Sequence, residues 1–259
     1  MKTNQVIILL MIGISISCRY EQKKVEKKVS KLEQLMLFRA DSAMDYFDLS
    51  NDSLSIFPDL SAYRIKSLDI STNQIDTLII QYLPQEIEEL NISHNKLTDF
   101  PDFSKMSIRY LDLSHNSISQ FDENLLSEGI EKIYLSYNNL SNRVIFISSR
   151  QNKVLNFSHN AIREFGGFIR TDSLDLSHNK LMEIDIEGTI GCLNISYNPN
   201  MPNKIFYPKR KAPQINVFIK NNIANDNPII FVSRPATIKF APSPYKEVKA
   251  PKKNDTIDN

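Results

Sequence analysis

Tryptophan is absent from the sequence, and only six glycines, two cysteines and four histidines occur among its 259 residues. Two cysteines as far apart as Cys18 and Cys192 are weak evidence for a disulfide. No glycine-rich phosphate loop, no paired nucleophile and base, and no Cys/His cluster with metal-ligand spacing stands out. The sequence therefore favours a protein that is not an enzyme and that needs no cofactor or metal.

Long hydrophobic runs are also missing, apart from the stretch from Val6 to Ser17. This stretch is too short for a helix that spans a bilayer, which needs about 20 residues, and it fits the core of a signal peptide. It ends at Cys18 after the small residues Ser15 and Ser17, an arrangement that resembles the signal of bacterial lipoproteins. The resemblance implies that Cys18 is lipidated, that acyl chains anchor the protein, and that it resides at the outer membrane of a bacterial envelope. An ordinary cleaved signal and a retained anchor are the alternatives.

The net charge of +1 hides an uneven distribution. Both ends are basic: seven Lys or Arg oppose three Glu between Arg19 and Arg39, and eleven oppose four acidic residues from Asn203 onward. Between Ala40 and Pro202, 12 basic residues oppose 23 acidic ones. An acidic body argues against nucleic acid as the partner, because phosphate binding needs clustered Lys and Arg.

A pattern of the form L-x-x-L-x-L-x-x-N-x-L recurs through the middle of the chain, and the segment from Ile108 to Ile118 is its clearest copy. Copies are separated by 19 to 22 residues, and an aspartate, Asp52, replaces the asparagine in the first. The repeat asparagines are Asn73, Asn95, Asn116, Asn138, Asn160, Asn179 and Asn198. Because an amide both donates and accepts, we expect this Asn ladder to satisfy backbone groups where the chain leaves each strand.

The repeat resembles the leucine-rich repeat family, in which a short strand and a return segment form one turn of a solenoid. The resemblance implies an α/β-type solenoid: an arc with a parallel β-sheet on its concave face, irregular or short helical convex segments, and a helical N-terminal cap. The expected organisation is a signal peptide (1–17), a tether and helical cap (18–43), about eight repeats (44–202), diverged repeats with a C-terminal cap (203–245), and a disordered tail (246–259).

Within each copy, two apolar residues separated by one position point to the same side of the strand and form the predicted core. These pairs are Phe47/Leu49, Leu68/Ile70, Leu90/Ile92, Leu111/Leu113, Ile133/Leu135, Leu155/Phe157, Leu174/Leu176 and Leu193/Ile195. Before the first copy, Val25, Val29, Leu32 and Met36 have helical spacing, which predicts a cap on the first repeat or a partly helical tether. Leu35, Leu37 and Phe38 are expected to add contact surface to that cap.

All four histidines, His94, His115, His159 and His178, stand just before a repeat asparagine. Stacked strands bring such neighbours close together, but the same register holds Tyr137 and Tyr197, so we infer no metal site. Four aspartates also share one register between the two core residues: Asp48, Asp69, Asp112 and Asp175. The repeat itself generates this alignment, so it does not indicate catalysis.

The fourth and fifth copies differ from the others at the outward-facing strand positions, where they have tyrosines next to charged residues. This composition is typical of contact centres. The candidate partner-binding residues are Glu89, Tyr110, Asp112, Lys132, Tyr134 and Tyr137. The resemblance implies recognition of a protein partner on the concave face. The alternative is a structural envelope spacer that uses its basic ends. A third class, a repeat protein with a ligase domain, needs a catalytic domain for which too few residues follow Pro202, none of them cysteine.

Overall fold

The computed structural model describes residues 30–39, 42–148 and 150–201, together with the backbone of four later strands that end at residue 240. One helix, α1 (Lys31–Leu35), comes first in the described part of the chain. The strands are β1 (Ala43–Asp48), β2 (Arg64–Asp69), β3 (Glu89–Asn91), β4 (Tyr110–Asp112), β5 (Lys132–Tyr134), β6 (Ser141–Phe146), β7 (Gln151–Asn156), β8 (Ala161–Asp175), β9 (Glu183–Asn194), β10 (Lys204–Tyr207), β11 (Ile215–Phe218), β12 (Ile229–Val232) and β13 (Ile238–Phe240).

One row of parallel strands holds one strand from each repeat, in the order β1-β2-β3-β4-β5-β7-β8-β9. Equivalent core residues face each other along this row, as in the pairing of Leu90 with Leu111 and of Leu111 with Ile133. Eight stacked strands separated by about seven turns form a solenoid, so the predicted repeat fold is confirmed.

The core of the solenoid is the continuous stack of these inward-facing residues. Fifteen of the sixteen predicted core residues are at most 2% exposed. The exception is Phe47, which is partly buried and meets the ring of Phe38 at a centroid distance of 6.5 Å. Because strand side chains alternate, burial of one face leaves the other face of the row to solvent or to a partner.

The return segments change character along the chain, which corrects part of the prediction. Two of the earlier turns contain a 3-10 helix, Ile80–Tyr82 and Glu123–Leu125. In the later turns the return segments are strands: β6 pairs with the first half of β8, which pairs with the first half of β9. The repeat spacing falls to 19 residues in the two turns that contain the first halves of β8 and β9, whereas β6 lies in a turn of 22 residues. A shorter return must be more extended to cover the same distance, and an extended chain forms parallel ladders with its neighbours.

Glycine is required where these return strands meet closely. Gly188 has a φ of +121°, and a Cβ atom at this position would lie 2.0 Å from the carbonyl oxygen of Ile169. Gly167 has a φ of +98° and the same relationship to Phe146. Only glycine adopts such conformations without strain and allows the backbones to approach each other.

The Asn ladder links each turn to the one before it. In Asn116, Nδ2 donates to the carbonyls of Ile92, Leu113 and Ser114 at 3.0–3.2 Å, while Oδ1 accepts the N–H of Leu97 at 3.0 Å. Side chains of the other ladder asparagines make the same kinds of contact. Each amide therefore satisfies backbone groups of two successive turns that would otherwise be buried without partners.

The first turn has an aspartate at this position, because the groups around it are backbone N–H donors, whereas the later turns also present carbonyl acceptors. Asp52 accepts the backbone N–H groups of Lys31 and Leu32, both at 3.0 Å, at the start of α1. No earlier strand offers carbonyls to β1 within the described residues, so a carboxylate, which only accepts, fits this position better than an amide.

The predicted helical cap is not supported beyond α1, a single turn. Ser30 and Glu33 form a capping box at its start, and Leu35 is fully buried. The helix ends there, so Leu37 is 83% exposed and does not make the expected contact with the first repeat, and Phe38 is also largely exposed. The whole segment 18–29, including Cys18 and the predicted helical residues Val25 and Val29, lies outside the described residues, as do the signal segment and the tail.

Beyond the eighth repeat strand, four strands extend both rows. β11 follows β9, with Val217 opposite Leu193 in the register that the repeat predicts, and β13 follows β11. In this ladder Ile238 pairs with Ile215, and Phe240 pairs with Val217. β10 and β12 extend the row of return strands. Among the described helices, none has the length and hydrophobicity needed to cross a bilayer.

Candidate functional site

The outward-facing side chains of β3, β4 and β5 bring five of the six candidate residues together. Tyr110 lies between Glu89 and Lys132 in the strand register, and Asp112 lies beside Tyr134. We call Glu89, Tyr110, Asp112, Lys132 and Tyr134 the tyrosine patch. The patch is at the middle of the row of repeat strands, with strands on both sides.

Two rings and one cation form the centre of the tyrosine patch. The rings of Tyr110 and Tyr134 are 5.5 Å apart between centroids and tilted by 44°. Lys132 Nζ lies over the Tyr110 ring, 5.9 Å from its centroid, within the range of a cation–π interaction. A positive group therefore lies next to the face of this ring.

The patch has a negative electrostatic environment. Desolvation, followed by the negative charge of Asp112, the Tyr134 hydroxyl and the charges of Glu89 and Asp69, raises the pKa of Tyr110 to about 12. Desolvation and Asp112 also raise the pKa of Tyr134. Both phenols therefore stay neutral at physiological pH and present a hydroxyl that can donate a hydrogen bond.

The sixth candidate, Tyr137, lies apart from the patch in a stack of rings, which we call the ring ladder. The ladder consists of His94, His115, Tyr137, His159, His178 and Tyr197. Neighbouring centroids are 3.9–4.2 Å apart and the planes are within 12° of parallel. All six residues have φ between +53° and +58°, a left-handed conformation that the repeat imposes at every turn.

Two histidines in the ring ladder have pKa values below that of an ordinary imidazole. Burial, and then the charge of His94, lower the pKa of His115 against the opposing effect of Asp112. Burial and His178 lower the pKa of His159, while Asp175 raises it. Two adjacent imidazolium ions would repel each other at this distance, so the surroundings of His115 and His159 favour the neutral form of these two rings.

The ring ladder is not built as a metal centre. The imidazole planes are nearly parallel, so their nitrogen lone pairs point side by side and do not converge on one point. The described part of the chain contains no group of three or more His, Cys, Asp or Glu side chains that could hold an ion. Cys192 is a half-buried free thiol whose pKa is raised by burial and by Asp175, a state that disfavours the reactive thiolate.

A row of alternating charges near the strand starts was missed in the sequence. Glu131 lies between Arg109 and Lys153, with both nitrogen–oxygen distances at 2.5 Å, and Arg109 also approaches Glu88 at 3.7 Å. These hydrogen bonds hold the pKa of Glu131 at about 2. Residues of alternating charge at the repeat spacing are the signal that would have revealed this row.

Comparison with known proteins agrees with this geometry. The family model named Leucine Rich Repeat matches residues 86–106 and 107–128, the two units that contain β3 and β4 and the patch residues Glu89, Tyr110 and Asp112. No curated protein matches the chain. The two matched units, with turns of the same geometry on either side, support a leucine-rich repeat protein.

Proposed function

We propose that the protein is a non-enzymatic, lipid-anchored component of a bacterial cell envelope that binds a protein partner through the concave face of its solenoid. Solenoids of leucine-rich repeats suggest interaction scaffolds, because stacked strands create an extended open surface. The observation that carries the concave-face assignment is the tyrosine patch. It brings two adjacent rings and a lysine together, and Tyr134 stands where the other seven turns have an aspartate or an asparagine.

The patch has the composition of an interaction centre. Tyrosine gives a large contact area with few rotatable bonds, and aromatic residues are enriched where binding energy concentrates. Tyr110 and Tyr134 are partly exposed, while the core residues beneath them, Leu111 and Ile133, are fully buried. Removing the rings therefore alters the surface without opening a cavity in the core.

The test is cross-linking in cells and recovery of the bound partner with the Tyr134→Ala/Lys132→Ala double variant. We expect the partner to be lost while the thermal unfolding midpoint stays close to that of the parent protein. The control is Ile147→Ala, which removes an exposed apolar side chain from the return side of the solenoid. Equal recovery with the double variant and the control contradicts the assignment of the patch.

The anchor is part of the same proposal. Cys18 would carry acyl chains, and residues 18–43 would serve as tether and cap between the outer membrane and the first repeat. The buried Leu35 and the contacts of Asp52 with α1 support the cap. Metabolic labelling with a fatty acid, compared with Cys18→Ala, tests the anchor. Label retained in the variant contradicts it.

A structural spacer is the competing function, favoured by the basic ends of an otherwise acidic chain. It predicts that deletion of the residues after Tyr245, or neutralisation of the lysines between Lys23 and Lys31, disturbs envelope assembly more than the Tyr134→Ala/Lys132→Ala variant does. The same three strains, compared for envelope integrity, separate the two functions.

A further inference from the structure

Four aspartates on the concave face share one scaffold interaction. Oδ1 of each accepts the backbone N–H of the serine two residues later, at 2.8–2.9 Å. These aspartates are Asp48, Asp69, Asp112 and Asp175. The asparagines in the same register, such as Asn91 and Asn156, use their amide oxygen in the same way. This interaction belongs to the repeat and carries no information about a ligand.

The second carboxylate oxygen separates Asp112 from the other three. Oδ2 of Asp48 accepts from Lys31 Nζ at 2.7 Å. Oδ2 of Asp69 and of Asp175 each accepts from the amide of an asparagine on the next strand, at 3.1 Å. The next strand offers Asp112 a tyrosine, Tyr134, in place of that asparagine, and within the described residues no donor reaches Asp112 Oδ2.

The open oxygen is bordered by aromatic rings. Tyr134 lies directly across from Asp112 on β5, and Tyr110 lies two residues before it on the same face of β4. A second carboxylate, Glu89, borders Tyr110 on the other side and uses one oxygen to accept from Ser67 at 3.0 Å. We call Asp112 Oδ2 with the rings of Tyr110 and Tyr134 the Asp112 site.

The charges around the site select a cation. The carboxylates of Glu89, Asp112 and Asp69 all act on Tyr110, and the one lysine of the patch, Lys132, lies over the Tyr110 ring with no ion pair to a carboxylate within the described ranges. The repeats between Ala40 and Pro202 carry a large excess of acidic residues, which attracts a basic partner from a distance.

We propose that the Asp112 site binds the guanidinium group of an arginine side chain presented by the protein partner. This inference rests on the proposed function and names the chemistry of its partner. A guanidinium is planar, so it can stack on a tyrosine ring while its N–H groups donate to a carboxylate oxygen. A lysine ammonium group has no plane that could stack on a ring. The ammonium group of Lys132 also already lies beside Tyr110.

The experiment uses the full-length protein in detergent, labelled with nitrogen-15, and two capped pentapeptides, Gly-Gly-Arg-Gly-Gly and its citrulline counterpart. Citrulline keeps the planar shape but lacks the charge. We expect the arginine peptide to shift the amide resonances of Asp112 and Tyr134, with at least a tenfold weaker effect from citrulline. The Asp112→Asn variant should weaken the arginine effect by a similar factor.

The chain itself supplies the folding argument and the control. Asparagine occupies the equivalent position in three other turns and makes the same contact with the following serine, so Asp112→Asn keeps the scaffold interaction. Asp69→Asn is the matched control, because both oxygens of Asp69 already have internal partners. It should leave the response to the arginine peptide within twofold of the parent protein.

Equal shifts from both peptides, an unchanged response in Asp112→Asn, or an equal loss in Asp69→Asn overturns the arginine site. The proposed function is judged separately. A cellular partner that is lost in the Tyr134→Ala/Lys132→Ala variant but retained in Asp112→Asn supports concave-face binding and overturns the arginine site. Arginine-specific shifts together with a partner that the concave variants do not affect support the site and overturn the proposed function.

Discussion

The imidazole ring of His94 stacks on that of His115, with centroids 3.9 Å apart and planes 11° from parallel. The contact begins a ladder of six rings that crosses as many turns of the solenoid. It makes the folded state sensitive to protonation, because each ring lies against another titratable or aromatic ring.

Stability should fall as the pH drops from about 7.5 to 5.5. The folded state lowers the pKa of His115 and of His159, so the unfolded chain binds protons more readily in this range. The contribution of these two histidines to the free energy of unfolding is complete above the ordinary histidine pKa. It is lost as the pH falls from that value to the lower pKa of the folded state. Urea unfolding at several pH values measures the slope of the free energy of unfolding against pH. The His115→Tyr/His159→Tyr variant, which copies the tyrosines already present in the ladder, should flatten it; an unchanged slope contradicts the assignment.

Asn138→Ala should destabilise the protein by about 2–4 kcal/mol. The side chain is buried, its Nδ2 donates to the carbonyls of Leu113, Leu135 and Ser136, and its Oδ1 accepts the N–H of Ile118. A buried group left without its partner costs about 1–3 kcal/mol. Chemical denaturation gives the change. As a control, Asn124→Ala removes one exposed side-chain hydrogen bond to Asp122 and should stay within about 0.5 kcal/mol of the parent protein.

Exchange of Asp52 for asparagine should loosen α1. The two N–H groups of Lys31 and Leu32 need two acceptor oxygens, and an amide has only one. We expect faster hydrogen exchange of the helix amides and a loss of about 1 kcal/mol, typical of a lost helix N-terminal contact. Asn73→Asp makes the opposite exchange and removes donors from three carbonyls, so it should cost more. Unchanged hydrogen-exchange rates of the helix amides in Asp52→Asn contradict this account.

Gly188→Ala should destabilise the later turns by about 2 kcal/mol or more. The new Cβ atom meets the carbonyl oxygen of Ile169, and the positive φ adds strain of about 1–3 kcal/mol. Thermal unfolding measures the effect. Gly129→Ala is the matched control, because no atom lies within 4 Å of the position of its Cβ. Similar midpoints for the two variants would show that the later return strands tolerate a wider separation.

Much of the solenoid was predictable because each repeat contains the apolar residues that form its own part of the core. The pairs such as Leu111/Leu113 and the Asn ladder recur at fixed spacing, so one copy predicts the geometry of the next. The return segments were harder to predict, because their residues follow no repeated pattern, and the shift from 3-10 helices to strands depends on pairing with neighbouring turns. Helix α1 was overestimated, since four apolar residues at helical spacing do not determine where a helix ends.

The candidate site was only partly readable for the same reason. Five residues of the tyrosine patch could be placed together from their register, but Tyr137 belongs to the ring ladder, three residues beyond Tyr134 in a different row. The open oxygen of Asp112 had a sequence signal that went unnoticed: the next copy has a tyrosine where the copies after Asp69 and Asp175 have an asparagine.

The sequence by itself determined the repeat, the buried face and the register of the repeat strands, because these follow from a periodic pattern of apolar residues and asparagines. The tertiary structure decided which polar groups satisfy one another. Asp112 and Asp69 occupy the same position of the repeat. The next turn places the amide of Asn91 against Oδ2 of Asp69, but it places no donor against Oδ2 of Asp112 within the described residues. Such differences arise between neighbouring turns, where distance and hydrogen-bond geometry select the partner.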